Sequence, residues 1–330
     1  MSPSDNTTRV PQYTPFFDPI RNGKLLSWPM RIGIAVGLGV IYSLLQLLIL
    51  QDRTVYLAQN SWVLSIIITT SLSALYVATF VFRQSLRVLV KFEAGTGITE
   101  QVISTVLKDR AFVICALAFA SATTGVAHVL GVPADLHASS LILIVSYLGF
   151  FMAGFCSGLG LWAIFGVINL YLRFAPNLQY SLDPKNPDGN GGIKLLGESL
   201  WFFALLIAVV GLLIAGYMFS VDWTNLQSSF ARALFLVWLA LPFTCAISVV
   251  MIPGMAVRRQ VDQFKERRLV ELKRERASVH AAFKEFDPEG DDEIISGKRE
   301  LNDRLREIQL EMDGLENMRI SPLDGPKSHQ

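Results

Sequence analysis

Six long stretches of the sequence carry no charged residue, and this feature constrains the fold more than any other. A helix needs about 20 apolar residues to cross the hydrocarbon core of a membrane. The strands of a membrane β-barrel alternate between apolar and polar residues, whereas these stretches are continuously apolar. The sequence therefore predicts an all-α integral membrane protein with six transmembrane helices. The stretches are 32–50, 62–82, 111–130, 136–172, 199–220 and 233–252.

The connections between these stretches alternate between short and long, which groups the predicted helices into three hairpins. Loops rich in Lys and Arg stay on the cytoplasmic side. The N-terminal segment and the two long connections hold 12 Lys and Arg residues, whereas the other side has only Arg53 and Arg232. We therefore expect both termini and all the sizeable loops to be cytoplasmic, in a plasma or inner membrane.

Charge also divides the chain into regions. Of the 57 Lys, Arg, Asp and Glu residues, 32 lie at or beyond residue 254. We predict a cytoplasmic N-terminal segment with an interfacial anchor at 1–31 and a six-helix transmembrane domain at 32–253. A charged cytoplasmic helical hairpin follows at 254–320, and 321–330 is predicted to be a disordered tail. The net charge of +1 gives no indication of a nucleic acid partner.

The second half of the charged region contains a short heptad pattern. Its apolar residues are spaced by four, three, four and three positions, which is the spacing of a coiled-coil seam. The pattern covers two to three heptads, so we expect it to pack against the preceding helix, against a neighbouring subunit, or against both. The seam consists of Leu301, Leu305, Ile308, Met312 and Leu315.

Two of the predicted spans depart from a simple crossing. The fourth stretch would extend about 52 Å as a helix, against about 30 Å of hydrocarbon, so we expect it to tilt, break or project inward. The sixth stretch contains Pro242, which predicts a kink. This kink is either a gate or an ordinary feature of a membrane helix.

The long connection after the second stretch contains a short predicted helix. Ile98, Val102 and Val106 recur every four residues, which is typical of an amphipathic helix. Thr99 has the chemistry of an N-cap residue, and we therefore expect the helix to begin there.

Small residues recur four positions apart in several spans. This spacing lets two helix backbones approach closely. It indicates helix packing either within the chain or between subunits, and the sequence leaves both open. The clearest pairs are Gly33 with Gly37 and Gly154 with Gly158.

The loop before the fifth span is the most distinctive polar segment. Its glycines allow backbone amides to approach an anion, and its lysines supply positive charge. Tight turns account for the same residues, so two interpretations remain open: a ligand or partner loop, and a series of turns. The loop residues are Asp183, Lys185, Asp188, Gly189, Gly191, Gly192 and Lys194.

The sequence shows no signature of an enzyme, a metal site or a cofactor site. It lacks the phosphate-loop, nucleophile-elbow, zinc-protease and dinucleotide-binding motifs. We interpret His128, Asp135 and His137 as polar caps at the membrane surface. The acidic turn in the tail fails as a calcium loop, because Asp292 and Lys298 occupy the positions that require Gly and Glu. We therefore predict no catalytic residues, no metal and no cofactor.

A membrane enzyme is the weakest of four functions, because no nucleophile, base or metal constellation appears in the sequence, and three other functions rank above it. The leading one is a non-enzymatic membrane scaffold or regulatory module, whose C-terminal helices bind a protein partner or self-associate and whose basic residues meet anionic lipid head groups. The alternative is an oligomeric channel or pore. A small-solute transporter comes third, because the spans lack the midplane charges that mark ion coupling. The lipid bilayer is the one partner that all three share.

Overall fold

The computed structural model describes residues 15, 17–18, 20–21, 24–49, 57, 60–92, 97–133, 139–178, 182, 192–285 and 292–317. Within these residues the regular elements are helices, apart from a short antiparallel ladder between β1 (Ile20–Arg21) and β2 (Lys24–Leu25). The helices are α1 (Trp28–Ile49), α2 (Trp62–Phe92), α3 (Ile98–Thr105), α4 (Asp109–Leu130), α5 (Ser140–Leu178), α6 (Lys194–Ser220), α7 (Ser229–Glu285) and α8 (Asp292–Asn317).

Six of these helices are long and apolar enough to cross a membrane: α1, α2, α4, α5, α6 and α7. The prediction of six apolar helices is confirmed. A helix satisfies its backbone hydrogen bonds internally, which is why such segments suit a hydrocarbon environment. By length and composition, the six helices suggest a membrane-embedded protein and are compatible with a multi-pass arrangement.

Two helices are longer than a membrane crossing requires. Helix α5 continues without interruption over 39 residues. The fourth stretch was expected to tilt, break or project inward, and the structure shows no break in this helix. Helix α7 continues over 57 residues, through Pro242 and Pro253. The sixth span and the first part of the charged tail are thus one helix.

The short helix α3 begins two residues earlier than predicted, with its N-cap at Gly97 instead of Thr99. Its N-cap is Gly97, whose φ of 67° lies in the left-handed region that glycine adopts without steric cost. The prediction of Thr99 as N-cap is wrong, because Thr99 lies inside the first turn and is fully buried. The turn geometry at the glycine, rather than a side-chain cap, starts this helix.

The chain divides into two compact units, which are described separately below. The first unit contains most of the apolar helices, and the second contains the charged helices with two connecting segments. The first unit is Met1–Arg87, Gly97–Leu170 and Ser199–Met251; the second is Val88–Thr96, Tyr171–Glu198 and Ile252–Gln330.

Within the first unit, close helix packing depends on particular glycines. A Cβ atom on Gly39 would lie 2.7 Å from the backbone oxygen of Ser65, so α1 and α2 pack in near backbone contact at this point. Tyr42 of α1 lies against Gly149 of α5, and its hydroxyl donates to the Val145 oxygen at 3.3 Å. These contacts fix α1 against two other helices.

Within the second unit, the charged part of α7 packs against α8. Leu272 forms a buried cluster with Ile308, Met312 and Leu315. Arg268 pairs with Glu311 at 2.7 Å, and Arg304 pairs with Glu275. Residue numbers thus rise along one helix as they fall along the other, so the paired segments run in opposite directions.

Candidate functional site

The first unit contains a cavity of about 210 Å³ between its helices. Five helices line it, and α1 contributes none of the described lining residues. An engineered cavity of about 150 Å³ in a soluble protein binds benzene, so this volume is sufficient for an apolar molecule. Characteristic lining residues are Ala74 and Ala78 of α2, Phe119 of α4, Ser157 of α5, Val210 of α6 and Trp238 of α7.

The cavity is long and slender. Along α2, its lining begins at Leu64 and ends at Phe82, a separation of 18 residues and therefore about 27 Å at 1.5 Å per residue. The hydrocarbon core of a bilayer is about 30 Å thick. The lining thus extends over most of a membrane's depth, while the enclosed volume is small.

The lining is almost entirely apolar. Among the described lining residues, none is Asp, Glu, Lys, Arg or His. The threonine hydroxyls donate within their own helices: Thr79 to the Leu75 oxygen and Thr123 to the Phe119 oxygen, both at 2.8 Å. Such a surface favours an uncharged, hydrophobic occupant and disfavours an ion or a sugar.

Phe17 lines one end of the cavity. Its ring meets the ring of Phe112, near the start of α4, edge to face with centroids 5.4 Å apart. Phe82, toward the end of α2, lines the same region. A short N-terminal segment outside the six spans therefore contributes to the cavity wall.

The neighbouring Asp18 holds this segment in place. Its side chain is fully buried and pairs with Arg31 of α1 at 3.3 Å and with Arg83 of α2. Arg31 also donates to the Leu26 oxygen at 3.0 Å and lies over the Trp28 ring. We refer to Asp18, Arg31 and Arg83 as the charged triad. The triad joins the N-terminal segment to two apolar helices.

The charged triad was not predicted from the sequence. Arg31 and Arg83 contributed to the predicted cytoplasmic bias, Arg31 also belonged to the predicted interfacial anchor, and Asp18 had no predicted role. The available signal was an acidic residue in a segment otherwise rich in cations and aromatics. A single carboxylate does not reveal its partners, because Arg83 is 65 positions away from it.

Aromatic residues line the opposite end of the cavity. Trp223 follows α6, and its ring lies 6.1 Å from that of Phe150 and 6.2 Å from that of Tyr217. The Trp223 indole donates to the Met218 oxygen at 2.8 Å. The next two residues, Thr224 and Asn225, donate backbone hydrogen bonds to the end of α4. This turn is therefore fixed to a second helix.

Pro242, the predicted kink and gate residue, lines the cavity. It also supports the contact between α6 and α7, because a Cβ atom on Gly211 would lie 2.8 Å from the Pro242 Cβ atom. The interpretation of Pro242 as a gate stays a prediction.

The structure distinguishes the two predicted glycine pairs. Cβ atoms on Gly154 and Gly158 would each lie 2.8 Å from a Cα atom of α4, that of Ala120 and Ala116 respectively. The second pair therefore packs α5 against α4 inside the chain. Around Gly33 and Gly37, the described residues leave open space within 4 Å. Packing of α1 onto α2 depends on Gly39 instead.

Most of the predicted ligand loop lies outside the described residues, namely Asp183, Lys185, Asp188, Gly189 and Gly191. Of the remaining two, Gly192 has a positive φ of 94°. Lys194 begins α6 and pairs with Glu198 one turn later at 3.7 Å, with both side chains more than half exposed. The ligand interpretation of this loop stays a prediction.

The structure brings no metal ligands together within its described part. There, no three His, Cys, Asp or Glu side chains form a group that would hold a metal ion. His128 lies in the last turn of α4, and its Nδ1 atom is 2.9 Å from the Tyr147 hydroxyl. The other two residues considered with it, Asp135 and His137, lie outside the described residues.

The tail seam lies partly inside the second unit. Ile308, Met312 and Leu315 are buried, whereas Leu301 and Leu305 are half-buried. Beside the seam, Arg304 donates to the Glu275 and Glu307 carboxylates. These hydrogen bonds raise the pKa of Arg304 above its ordinary value. The paired helices are thus stabilised by an apolar cluster and by flanking charges.

No family model matches the chain, and no curated protein or solved structure is significantly similar to it. A functional proposal therefore depends on the chemistry of the chain itself.

Proposed function

We propose that the first unit binds an uncharged apolar molecule inside the membrane and serves as a non-enzymatic site of passage or storage for it. The observation that carries this proposal is the cavity between α2, α4, α5, α6 and α7. Its length is close to the thickness of the hydrocarbon core, and its lining has the polarity of hydrocarbon. The occupant we expect is a single extended chain, because the space is narrow relative to its length.

This proposal revises the order of the candidate functions. The pore and transporter interpretations gain support because a cavity exists within one chain. They apply here to an apolar molecule rather than to an ion, because the described lining carries no charge and a charged solute would lose its hydration without compensation. Such a passage requires no oligomer.

The proposal includes an orientation. The bias of basic residues supports cytoplasmic termini, and the alternation of short and long connections supports three helical hairpins. With that orientation, Phe17 and the charged triad belong to the cytoplasmic end of the cavity, and Trp223 belongs to the opposite end. Attaching a cysteine-reactive, membrane-impermeant label to engineered cysteines in the N-terminal segment and in the 221–228 turn tests this assignment in intact cells.

Photolabelling tests whether the cavity binds an apolar molecule. The probe is a long-chain alkane with a terminal diazirine, added to the full-length protein in lipid nanodiscs. We expect it to label peptides around Ala74 and Ala78, which line the cavity. In Val210→Trp the indole fills the space between the helices, and labelling of those peptides should fall at least about ten-fold.

Val209→Trp is the matched control. Val209 is the preceding residue on the same helix, but it is 42% exposed on the outer surface and is absent from the cavity lining. This variant should retain the labelling of the wild-type protein. Labelling confined to the outer faces of the helices, or an equal loss in both variants, would contradict the proposal.

The second candidate function is the scaffold or regulatory module that the sequence puts first. The contacts between the charged part of α7 and α8 favour it, because they indicate a helical hairpin with charged outer surfaces. Three of the seam residues, however, are buried within the chain. A partner would therefore bind the outer charged faces or displace α8. Affinity capture from membranes with full-length protein, compared with a chain truncated after residue 285, tests this function.

A further inference from the structure

A second, wider space of about 670 Å³ forms a groove beside the turn that joins α6 to α7. Two charged residues line it: Asp222, which follows the end of α6, and Arg232, in the first turn of α7. All of the described lining belongs to the first unit. The groove shares only Met218 and Trp223 with the lining of the cavity, so it is a separate space.

The two charges in the groove are exposed and available to a ligand. Within the described part of the chain, the Asp222 carboxylate has no ion-pair or hydrogen-bond partner. The Arg232 Nη2 atom donates to the Gln227 oxygen at 2.9 Å. This bond orients the guanidinium and leaves its other N–H groups available. The groove therefore offers one anionic and one cationic group to the same ligand.

Large apolar side chains line the part of the groove that lies deeper along both helices. On α6, Phe219 precedes Asp222 by three residues, and on α7, Leu236 follows Arg232 by one helical turn. Both apolar side chains are more than 60% exposed. Helices α6 and α7 are long and apolar enough to cross a membrane. In a bilayer, the two charges therefore lie at the surface and the two apolar side chains lie in the hydrocarbon below them.

The turn that carries the groove is held in a fixed shape. The Trp223 indole donates to the Met218 oxygen at 2.8 Å, and the two residues after Trp223 donate backbone hydrogen bonds to the end of α4. The Ser228 hydroxyl accepts from the Ala231 amide at 3.1 Å, which caps the start of α7. The charged positions are thus in place before a ligand binds, and this lowers the entropic cost of binding.

We propose that this groove binds a zwitterionic phospholipid, such as phosphatidylethanolamine, from the membrane leaflet at this turn. Arg232 binds the phosphate, because a guanidinium can donate to two phosphate oxygens at once, and Asp222 binds the ammonium group. The acyl chains contact Phe219 and Leu236. Asp222 repels a head group that carries only negative charge, so the pair selects against anionic lipid. The inference goes beyond the proposed function and does not depend on it.

Photolabelling in a mixed bilayer tests this preference. The full-length protein is placed in nanodiscs that contain phosphatidylethanolamine and phosphatidylglycerol in equal amounts, with a trace of one of these lipids carrying a diazirine in its acyl chain. We expect the ethanolamine probe to label peptides containing Phe219 and Leu236 about five-fold more than the glycerol probe, the upper range for an exposed ion pair. Labelling around Ile41, an exposed residue of α1 outside the groove lining, supplies the reference ratio.

Three substitutions assign the preference to the two charges. Asp222→Asn should abolish it. Asp222→Lys should reverse it, because two cations favour the anionic lipid, and a merely structural role for Asp222 gives no such reversal. Arg232→Gln should lower labelling by both probes about five-fold, because both lipids carry the phosphate. Glu100→Gln, which removes an exposed carboxylate from α3 of the same unit, is the matched control and should keep the wild-type ratio.

The outcomes separate this inference from the proposed function. A wild-type ratio equal to the reference ratio overturns the inference, and so does an unchanged preference in Asp222→Lys or unchanged labelling in Arg232→Gln. Both side chains are exposed, so each variant should unfold at the wild-type temperature, and the wild-type ratio decides even where a variant fails to fold. Val210→Trp fills the cavity but lies outside the groove lining, and it should keep the preference. Each proposal can therefore fail while the other stands.

Discussion

Asp18→Asn is expected to release the N-terminal segment from the apolar helices. The substitution keeps the size of the side chain but removes the charge that pairs with Arg31 and Arg83. Removing one partner from a buried ion pair costs about 3–5 kcal/mol, because the remaining charge stays buried without compensation. Asp18 is fully buried and Arg31 is 5% exposed, but Arg83 is 19% exposed and regains some hydration. We therefore expect a cost near the lower limit, about 3 kcal/mol.

Hydrogen–deuterium exchange measures this release directly. The amide of Asp18 donates to the Pro15 oxygen at 2.9 Å, and that of Arg31 donates to the Ser27 oxygen at 3.1 Å. A local destabilisation of about 3 kcal/mol corresponds to roughly 100-fold faster exchange at the Asp18 amide. Peptides from α4 and α6 should keep their wild-type exchange, because the segment opens without unfolding the helices.

Asp222→Asn provides the control, because Asp222 is an exposed residue of the same unit. This variant should exchange like the wild-type protein. A double variant of Asp18→Asn with Arg31→Gln should cost less than the sum of the two single substitutions, since they remove the same interaction. Exchange within two-fold of wild type in Asp18→Asn, or full additivity in the double variant, would refute the role assigned to the charged triad.

Three further substitutions test the packing, each by its effect on thermal unfolding. Gly158→Val should destabilise the first unit by at least about 2 kcal/mol, because its side chain would meet the α4 backbone. Gly33→Val is the control and should be neutral, because the added side chain meets open space. Equal effects of the two substitutions would contradict this prediction. Leu315→Ala should lower the free energy of unfolding by about 2–5 kcal/mol. Leu310→Ala should lower it far less, because Leu310 is 61% exposed. The opposite order of the two effects would show that another face of α8 is packed. Gly131→Ala should destabilise by at least about 1–2 kcal/mol, because its φ is 80° and the added Cβ atom would also meet the Thr224 and Asn225 side chains. An unchanged midpoint would contradict this expectation.

The six apolar helices could be predicted from the sequence because hydrocarbon imposes one requirement on every span. Each span must be apolar over its whole length, so composition alone identifies it. The cavity could not be predicted for the same reason. In a continuously apolar helix, the sequence does not show which face contacts another helix, lipid or empty space. Val209 and Val210 illustrate this: the first is exposed and the second lines the cavity, although they are the same residue type.

Contacts between residues far apart in the sequence are a second feature that the sequence does not predict. Nothing near Asp18 in the sequence indicates that it pairs with Arg83. Glycine spacing was informative but ambiguous. Gly154 and Gly158 pack against α4, whereas Gly33 and Gly37 have the same spacing and open space around them. Spacing predicts which residues permit close packing, and only the fold determines where that packing occurs.

The turn after α6 has a consequence for how the cavity is entered. Thr224 and Asn225 donate to the backbone oxygens of Gly131 and Leu130 at 3.1 and 2.9 Å, and the Asn225 side chain donates to the Val129 oxygen at 3.1 Å. Moving this turn would remove the donors of three carbonyl groups at the end of α4. Phe17, at the other end, adjoins the charged triad, whose ion pairs would have to separate before this segment could move. The two ends are therefore held by different interactions, and we expect Asp18→Asn to loosen the end at Phe17 alone.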